Sequence, residues 1–167
     1  MSKYTKWVSF WGNAMGITEN SPARYGKDIT LRYPLYVPFA GEALKLTFDN
    51  FCGTEEVVLT KVRVGYKGVQ YSVLYQGAEE MRIPAGERIV TDILPISLES
   101  MDNIDVSFYL GEITQLRCAV QTSGPLSKGM YGIGDQTEVE IMDPSLSKEA
   151  PYVYFLRNAS GLTDDST

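Results

Sequence analysis

The stretch of sequence that decides the fold is ITLRYPLYVPF, residues 29–39. Every odd-numbered residue in it is apolar or aromatic, and more polar residues or prolines alternate with them. A period of two places the apolar side chains on one face of a β-strand. Proline donates no hydrogen bond to a neighbouring strand, so we expect this strand to be an edge, or to be bulged, near Pro34 and Pro38.

The same alternation recurs along most of the chain, between turns rich in Gly, Asn and Pro. Apolar and polar side chains alternate in short runs at 44–48, 58–64, 69–75, 104–110, 116–120 and 139–141. The run at 152–156 is apolar on both faces, which predicts a buried segment or an interface. No helical period extends over ten or more residues. Short strands at this spacing predict an all-β fold, an antiparallel β-sandwich of the jelly-roll (galactose-binding-like) type.

Length and the closing residues indicate the domain organisation. A chain of 167 residues corresponds to one domain. We expect the sandwich to cover residues 1–159. The last segment, SGLTDDST at 160–167, is polar and acidic, and we expect it to be a linker or tail.

Composition excludes several kinds of chemistry for this chain. It has no histidine and 2 cysteines, Cys52 and Cys118. Without histidine there is no Ser-His-Asp or Cys-His catalytic set and no histidine-containing zinc site. Two cysteines cannot build a cysteine-only zinc site, and we expect two buried free thiols rather than a disulfide. We therefore assign no catalytic residue, metal or cofactor.

Charge limits the partners and the location. Lys and Arg number 15 against 21 Asp and Glu, a net charge of -6. This balance argues against nucleic acid and against an anionic membrane, because both attract clustered basic residues. No apolar segment of signal-peptide length follows the first residues, so we expect a cytoplasmic location unless a targeting segment was removed.

Aromatic residues are the candidates for ligand binding. The chain has 11 Tyr, 6 Phe and 2 Trp, and sugar-binding sandwiches use exposed aromatic faces as stacking platforms. We consider Trp11, Tyr33 and Tyr36 as such platforms, with core packing as the alternative for each. Tyr33 and Tyr36 fall on opposite faces of one strand.

Four polar or small residues are interpreted as structural. We expect Arg32 to pair with a buried acid such as Asp92, and Asn50 to cap a turn that ends at Gly53. Asp49 and Asn50, together with Glu55 and Glu56, could also supply oxygens to a calcium ion, although Asx-turn capping is the simpler interpretation.

A set of short motifs follows in a recognisable order between Trp7 and Leu156. They are WGNA at 11–14, TLR at 30–32, LTFDNFCGTE at 46–55, PAGERIVTD at 84–92, IDVSFYL at 104–110 and YFL at 154–156. This order resembles the N-terminal β-sandwich domain that precedes the catalytic domain in one group of SGNH (GDSL-type) ester hydrolases. Where that family often has Gly-Asp-His, this chain has Gly134-Asp135-Gln136.

The resemblance implies a non-catalytic accessory domain. In that family the nucleophile, the oxyanion-hole residues and the catalytic Asp and His belong to an α/β domain, which would start shortly after Thr167. The partner is then this SGNH catalytic domain, in cis or missing, and this chain packs on it and shapes access to the ester site. Residues Tyr152, Tyr154, Phe155 and Leu156 are the expected domain interface. The alternatives are an independent carbohydrate-binding module and a sandwich that self-associates into a homo-oligomer.

Overall fold

A computed structural model describes residues 4–12, 16–17, 24–121 and 129–164. The regular elements in these ranges are all β-strands, which confirms the all-β prediction. The strands are, in chain order, β1 (Tyr4–Gly12), β2 (Gly16–Ile17), β3 (Tyr25–Gly26), β4 (Ile29–Val37), β5 (Gly41–Asp49), β6 (Val57–Leu59), β7 (Lys61–Tyr66), β8 (Val69–Val73), β9 (Met81–Ile83), β10 (Arg88–Val90), β11 (Leu94–Leu98), β12 (Asp102–Leu110), β13 (Thr114–Gln115), β14 (Cys118–Gln121), β15 (Met130–Ile133), β16 (Ser147–Glu149), β17 (Tyr152–Tyr154) and β18 (Leu156–Asp164). In the same ranges, no helix is long and apolar enough to cross a membrane.

Two antiparallel sheets form the layers of a sandwich. The five-stranded sheet has the order β1-β18-β5-β10, with β11 also paired to β5. The six-stranded sheet has the order β16-β15-β4-β12-β7-β8. Three smaller groups, β17-β14-β2, β13-β3 and β6-β9, complete the described fold.

The core lies between the two large sheets and is centred on Phe108 of β12. The ring of Phe108 lies 5.5 Å from that of Phe48 on β5, 6.0 Å from Tyr33 on β4 and 6.4 Å from Phe155. These side chains are almost fully buried because alternate residues of each strand face inward. Burying one phenylalanine side chain contributes about 1.5–3 kcal/mol, so contact between the layers supplies much of the stability.

Strand β4 lies inside its sheet, although its prolines predict an edge. β12 pairs with β4 over its whole length, while β15 pairs only with residues 29–32. From Tyr33 onward β4 has one neighbour in the described ranges, and Pro34 lies in that half. The edge predicted near Pro34 therefore agrees with the pairing in the second half of β4, and Pro38 follows the end of the strand.

The last strand corrects the expected domain boundary. Residues 160–164 were expected to form a linker or tail, but they belong to β18, which lies between β1 and β5. The polar and small residues of this segment resemble a loop in the sequence, but small side chains are what its buried positions accommodate. A Cβ on Gly161 would lie 3.1 Å from the Phe39 ring, and Ala159 is fully buried. Residues 165–167 lie outside the described ranges.

Candidate functional site

One pocket, with a volume of about 660 Å³, opens beside the six-stranded sheet. This volume lies in the range of about 300–1,000 Å³ that is usual for small-molecule sites. Its lining combines tyrosine rings, aliphatic side chains and a few charged groups from four parts of the chain. The described lining residues are Arg24, Tyr25, Gly26, Lys27, Ile29, Leu31, Leu116, Tyr131, Glu149, Ala150, Pro151 and Tyr154.

The wall formed by β3 is held by the loop that follows β5. The Tyr25 hydroxyl donates a hydrogen bond to the Glu55 carboxylate. β13 pairs with β3, and its Gln115 bonds Thr54 twice, through Nε2 to Oγ1 at 2.8 Å and through Oε1 to the backbone N–H at 3.0 Å. The segment 50–55 therefore fixes the position of a ring that faces the pocket.

The opposite wall is β17, which Tyr33 holds from inside the sandwich. The Tyr33 hydroxyl donates to the backbone oxygen of Tyr152 at 2.9 Å and accepts from the backbone N–H of Tyr154 at 3.1 Å. Because β17 is at the edge of its sheet, these bonds satisfy backbone groups that no neighbouring strand covers. Burial raises the pKa of Tyr33 well above its ordinary value, so its hydroxyl stays neutral.

Tyr154 of β17 lines the pocket. Its side chain is buried, and burial raises the pKa of its hydroxyl. The positive charge of the nearby Arg24 guanidinium favours the ionised hydroxyl and offsets part of that increase in pKa. Arg24 is exposed and lines the same pocket, where its N–H groups are able to donate hydrogen bonds.

The three residues predicted as ligand platforms do not come together at this pocket. Tyr33 is 2% exposed and packs in the core, so it presents no face to a ligand. Tyr36 is 52% exposed on the outer side of β4, and Trp11 is half-buried on β1 against the core. Neither belongs to the described lining of the pocket.

Arg32 is buried as a structural residue, but its partner differs from the one expected. Its Nε donates to Ser107 Oγ at 2.6 Å, and its Nη atoms donate to the backbone oxygens of Gln136, Val139 and Glu140 at 2.8–3.0 Å. Burial lowers the pKa of Arg32, and the nearby Asp105 opposes that change. The side chain therefore fixes the loop at 136–140 across the outer face of the six-stranded sheet.

Asp92 serves a different turn, which corrects the expected Arg32–Asp92 pair. Its carboxylate oxygens accept hydrogen bonds from the backbone N–H groups of Gln76 and Gly77 at 2.9 and 2.8 Å. Both residues have positive φ, 51° and 81°, so their N–H groups point together toward one acceptor. Asp92 stabilises that turn.

The backbone N–H of Gly53 donates to the Asn50 backbone oxygen at 3.0 Å and closes a turn, whereas the Asn50 side chain bonds groups outside that turn rather than capping it. Asn50 Nδ2 donates to the backbone oxygens of Glu55 at 2.9 Å, Ile83 at 3.0 Å and Pro84 at 3.3 Å. A Cβ on Gly53 would lie 1.9 Å from Asn50 Oδ1, so only glycine fits at this position. The turn joins β5 to the β9–β10 connection.

Asp49 adopts the Asx turn that was the simpler alternative to a calcium site. Its Oδ1 accepts the Phe51 N–H at 2.7 Å, and its Oδ2 lies 2.9 Å from Arg88 and 3.1 Å from Arg157. Two guanidinium groups thus neutralise this buried carboxylate. Within the described ranges, no three His, Cys, Asp or Glu residues are grouped so as to hold a metal ion.

Residues 152–156, expected as a domain interface, pack mostly within this chain. Phe155 and Leu156 are completely buried in the sandwich core, and Tyr154 is nearly so. Tyr152 is half-buried, with its ring 5.8 Å from that of Tyr154. In this segment only Tyr152 keeps substantial exposure, and Tyr154 reaches the pocket.

The two cysteines are free and adjacent to each other. The Cys52 backbone N–H donates to Cys118 Sγ at 3.0 Å. Cys118 is buried and Cys52 is half-buried, so burial is confirmed in full for Cys118 alone. Burial raises the pKa of the Cys118 thiol to about 12.

Sequence reasoning missed most of the pocket. Arg24, Tyr25, Lys27 and Tyr131 lie in or beside segments rich in Gly and Pro, where no side-chain period marks a wall. The available signal was the clustering of tyrosines near such segments, as at Tyr131 and Tyr152.

Neither a protein-family model nor a curated protein matches this chain.

Proposed function

We propose that this chain is a non-catalytic accessory β-sandwich domain of an SGNH-type ester hydrolase, which packs on the catalytic domain and shapes access to its ester site. One observation carries the proposal: three of the motifs that resemble this family meet around one pocket. Leu31 of the TLR motif and Tyr154 of the YFL motif line the pocket, and Glu55 of the longest motif holds Tyr25 in place.

Other residues of the motifs hold the loops near the pocket in position. Arg32 fixes the loop at 136–140, and Asn50 fixes the loop that carries Glu55. Gln136, in the Gly-Asp-Gln segment, is buried, and its Oε1 accepts the Asp143 N–H at 2.8 Å. These side chains position backbone segments and contact no reacting group. Asn13 and Ala14 of the first motif lie outside the described residues.

A hydrolysis assay and the downstream coding sequence test this function. On a short-chain nitrophenyl ester we expect the isolated chain to give no turnover above buffer, because the catalytic groups belong to the other domain. Beyond the codon for Thr167 we expect a buried strand, a Gly-Asp-Ser turn and a later Asp-x-x-His. Ester turnover well above buffer would contradict the non-catalytic role, and a stop codon there would contradict a partner in cis.

Sugar binding at the pocket is the second candidate function. It is favoured by the lining itself, in which the rings of Tyr25, Tyr131 and Tyr154 surround a pocket of about 660 Å³. CH groups of a pyranose ring pack against the faces of such aromatic rings. This function is compatible with the accessory role, since the pocket would hold part of a substrate whose ester is cleaved elsewhere.

A further inference from the structure

The pocket is cationic in a chain that is acidic. Its described lining includes Arg24 and Lys27, while Glu149 is the one acidic residue in that lining. The chain as a whole carries a net charge of -6. A concave site whose cations outnumber its acids, against an acidic background, raises the local concentration of anionic ligands.

Among the residues that the structure describes, the two cations have no ion-pair partner. Several other basic side chains lie 2.6–3.2 Å from a carboxylate, among them Lys61, Arg63, Lys67 and Arg82. Arg24 and Lys27 make no such ion pair with any acid of the described ranges, and both are exposed. The exposed Arg24 side chain lines the pocket, and the planar set of N–H donors on its guanidinium suits a carboxylate.

The rest of the lining suits a hydroxylated ring. The Tyr25 ring is 48% exposed and fixed by Glu55, so it offers a rigid face. Glu149 accepts hydrogen bonds, as a sugar hydroxyl requires. We propose that the pocket binds a sugar acid, a pyranose ring with a carboxylate that Arg24 and Lys27 contact. This rests on the sugar-binding function proposed above.

Calorimetric titration with three matched probes tests the inference. We expect digalacturonate to bind about tenfold more tightly than neutral galactobiose, the order expected from one charge-assisted hydrogen bond. Acetate, which has the carboxylate without the ring, should not bind measurably at the same concentrations. Raising the salt concentration should weaken binding of digalacturonate and leave galactobiose unchanged.

Variants assign the discrimination to the two cations. Arg24→Gln and Lys27→Gln should each weaken digalacturonate binding, by roughly tenfold and roughly threefold, and leave galactobiose unchanged. Tyr25→Ala should weaken both sugars, because the ring face serves both. Lys67→Gln is the matched control, since it removes the same charge from an exposed side chain that does not line the pocket.

Each contrary result has a definite meaning. Equal binding of the two disaccharides would overturn the inference and leave sugar binding standing. No binding of either sugar would overturn both, and the accessory role would still be judged by the ester assay. Acetate binding as tight as digalacturonate would exclude the ring contacts. An effect of Lys67→Gln as large as that of Lys27→Gln would show a general charge effect rather than a site.

Discussion

Gly53 shows how one residue sets the geometry of the loop behind the pocket. The Asn50 side chain occupies the volume where any larger residue at position 53 would place its Cβ. Because Asn50 is buried and bonds three backbone oxygens, it cannot move away without losing those bonds. The loop that carries Thr54 and Glu55 toward Tyr25 and Gln115 therefore depends on this glycine.

Gly53→Ala should destabilise the protein by about 1–3 kcal/mol, the usual cost of overpacking a buried site. The measurement is urea unfolding followed by tryptophan fluorescence. Gly12→Ala is the control, because its Cβ would meet its nearest atom, the Arg157 backbone oxygen, at an ordinary 3.5 Å. Equal midpoints for Gly53→Ala and Gly12→Ala would show that Asn50 yields easily.

The two thiols should differ sharply in reactivity. The thiolate is the reactive form, and a pKa of about 12 leaves Cys118 almost entirely protonated at pH 8. We expect iodoacetamide to modify the half-buried Cys52 in the native protein and both cysteines in denaturant, as read by intact mass.

A Cys52→Ser variant provides the control for that assignment. It should take up no label in the native state and one label in denaturant. Native labelling of this variant at the rate of the parent protein would mean that Cys118 is the accessible thiol.

At the scale of elements, β17 depends on a residue from another strand. The Tyr33 hydroxyl bonds both a carbonyl and an N–H of β17, on the side that has no strand neighbour in the described ranges. Tyr154 and its contact with Arg24 follow from the position of β17. The hydroxyl group of Tyr33 thus connects β4, in the core of the sandwich, to the wall of the pocket.

Tyr33→Phe should cost about 1–3 kcal/mol of unfolding free energy, because it leaves buried backbone groups of β17 unpaired. For a chain of this size that corresponds to a fall in Tm of roughly 2–4 °C per kcal/mol. Thermal unfolding by circular dichroism measures it. Tyr36→Phe, on the exposed side of the same strand, should leave Tm unchanged, and a similar loss in both variants would contradict a special role for Tyr33.

Particular elements show what the sequence could predict. The alternation at 29–37 and 104–110 predicts strands because inward side chains must be apolar, and both strands exist with that orientation. The strand β18 was not predicted because its sequence has the small and polar residues of a loop, and at Gly161 the nearby Phe39 and Phe10 rings leave little room for a side chain. Arg32 is buried, and its acceptors are Ser107 Oγ and three backbone oxygens of the loop at 136–140, which no side-chain pattern can show.

At the scale of the whole molecule, the pocket is a product of topology. Its walls come from residues 24–31, 116, 131 and 149–154. These segments are far apart in the sequence, and the pairing of the strands brings them together. The alternation of apolar and polar residues predicts individual strands, but it does not indicate which distant segments form a common pocket. Composition could exclude chemistry, as the absence of histidine does, but it could not locate a cavity.

The position of β18 between β1 and β5 also has a consequence for how the chain folds. Register partners such as Tyr4 and Asp164, or Phe48 and Leu156, are separated by most or much of the sequence. Bringing such distant segments together has a high loop-closure entropy cost, and folds dominated by such contacts form slowly. During synthesis β10 and β11 are available to pair with β5 before β18 exists, so we expect the pairing of residues 156–164 with β1 and β5 to be a late step in forming the five-stranded layer.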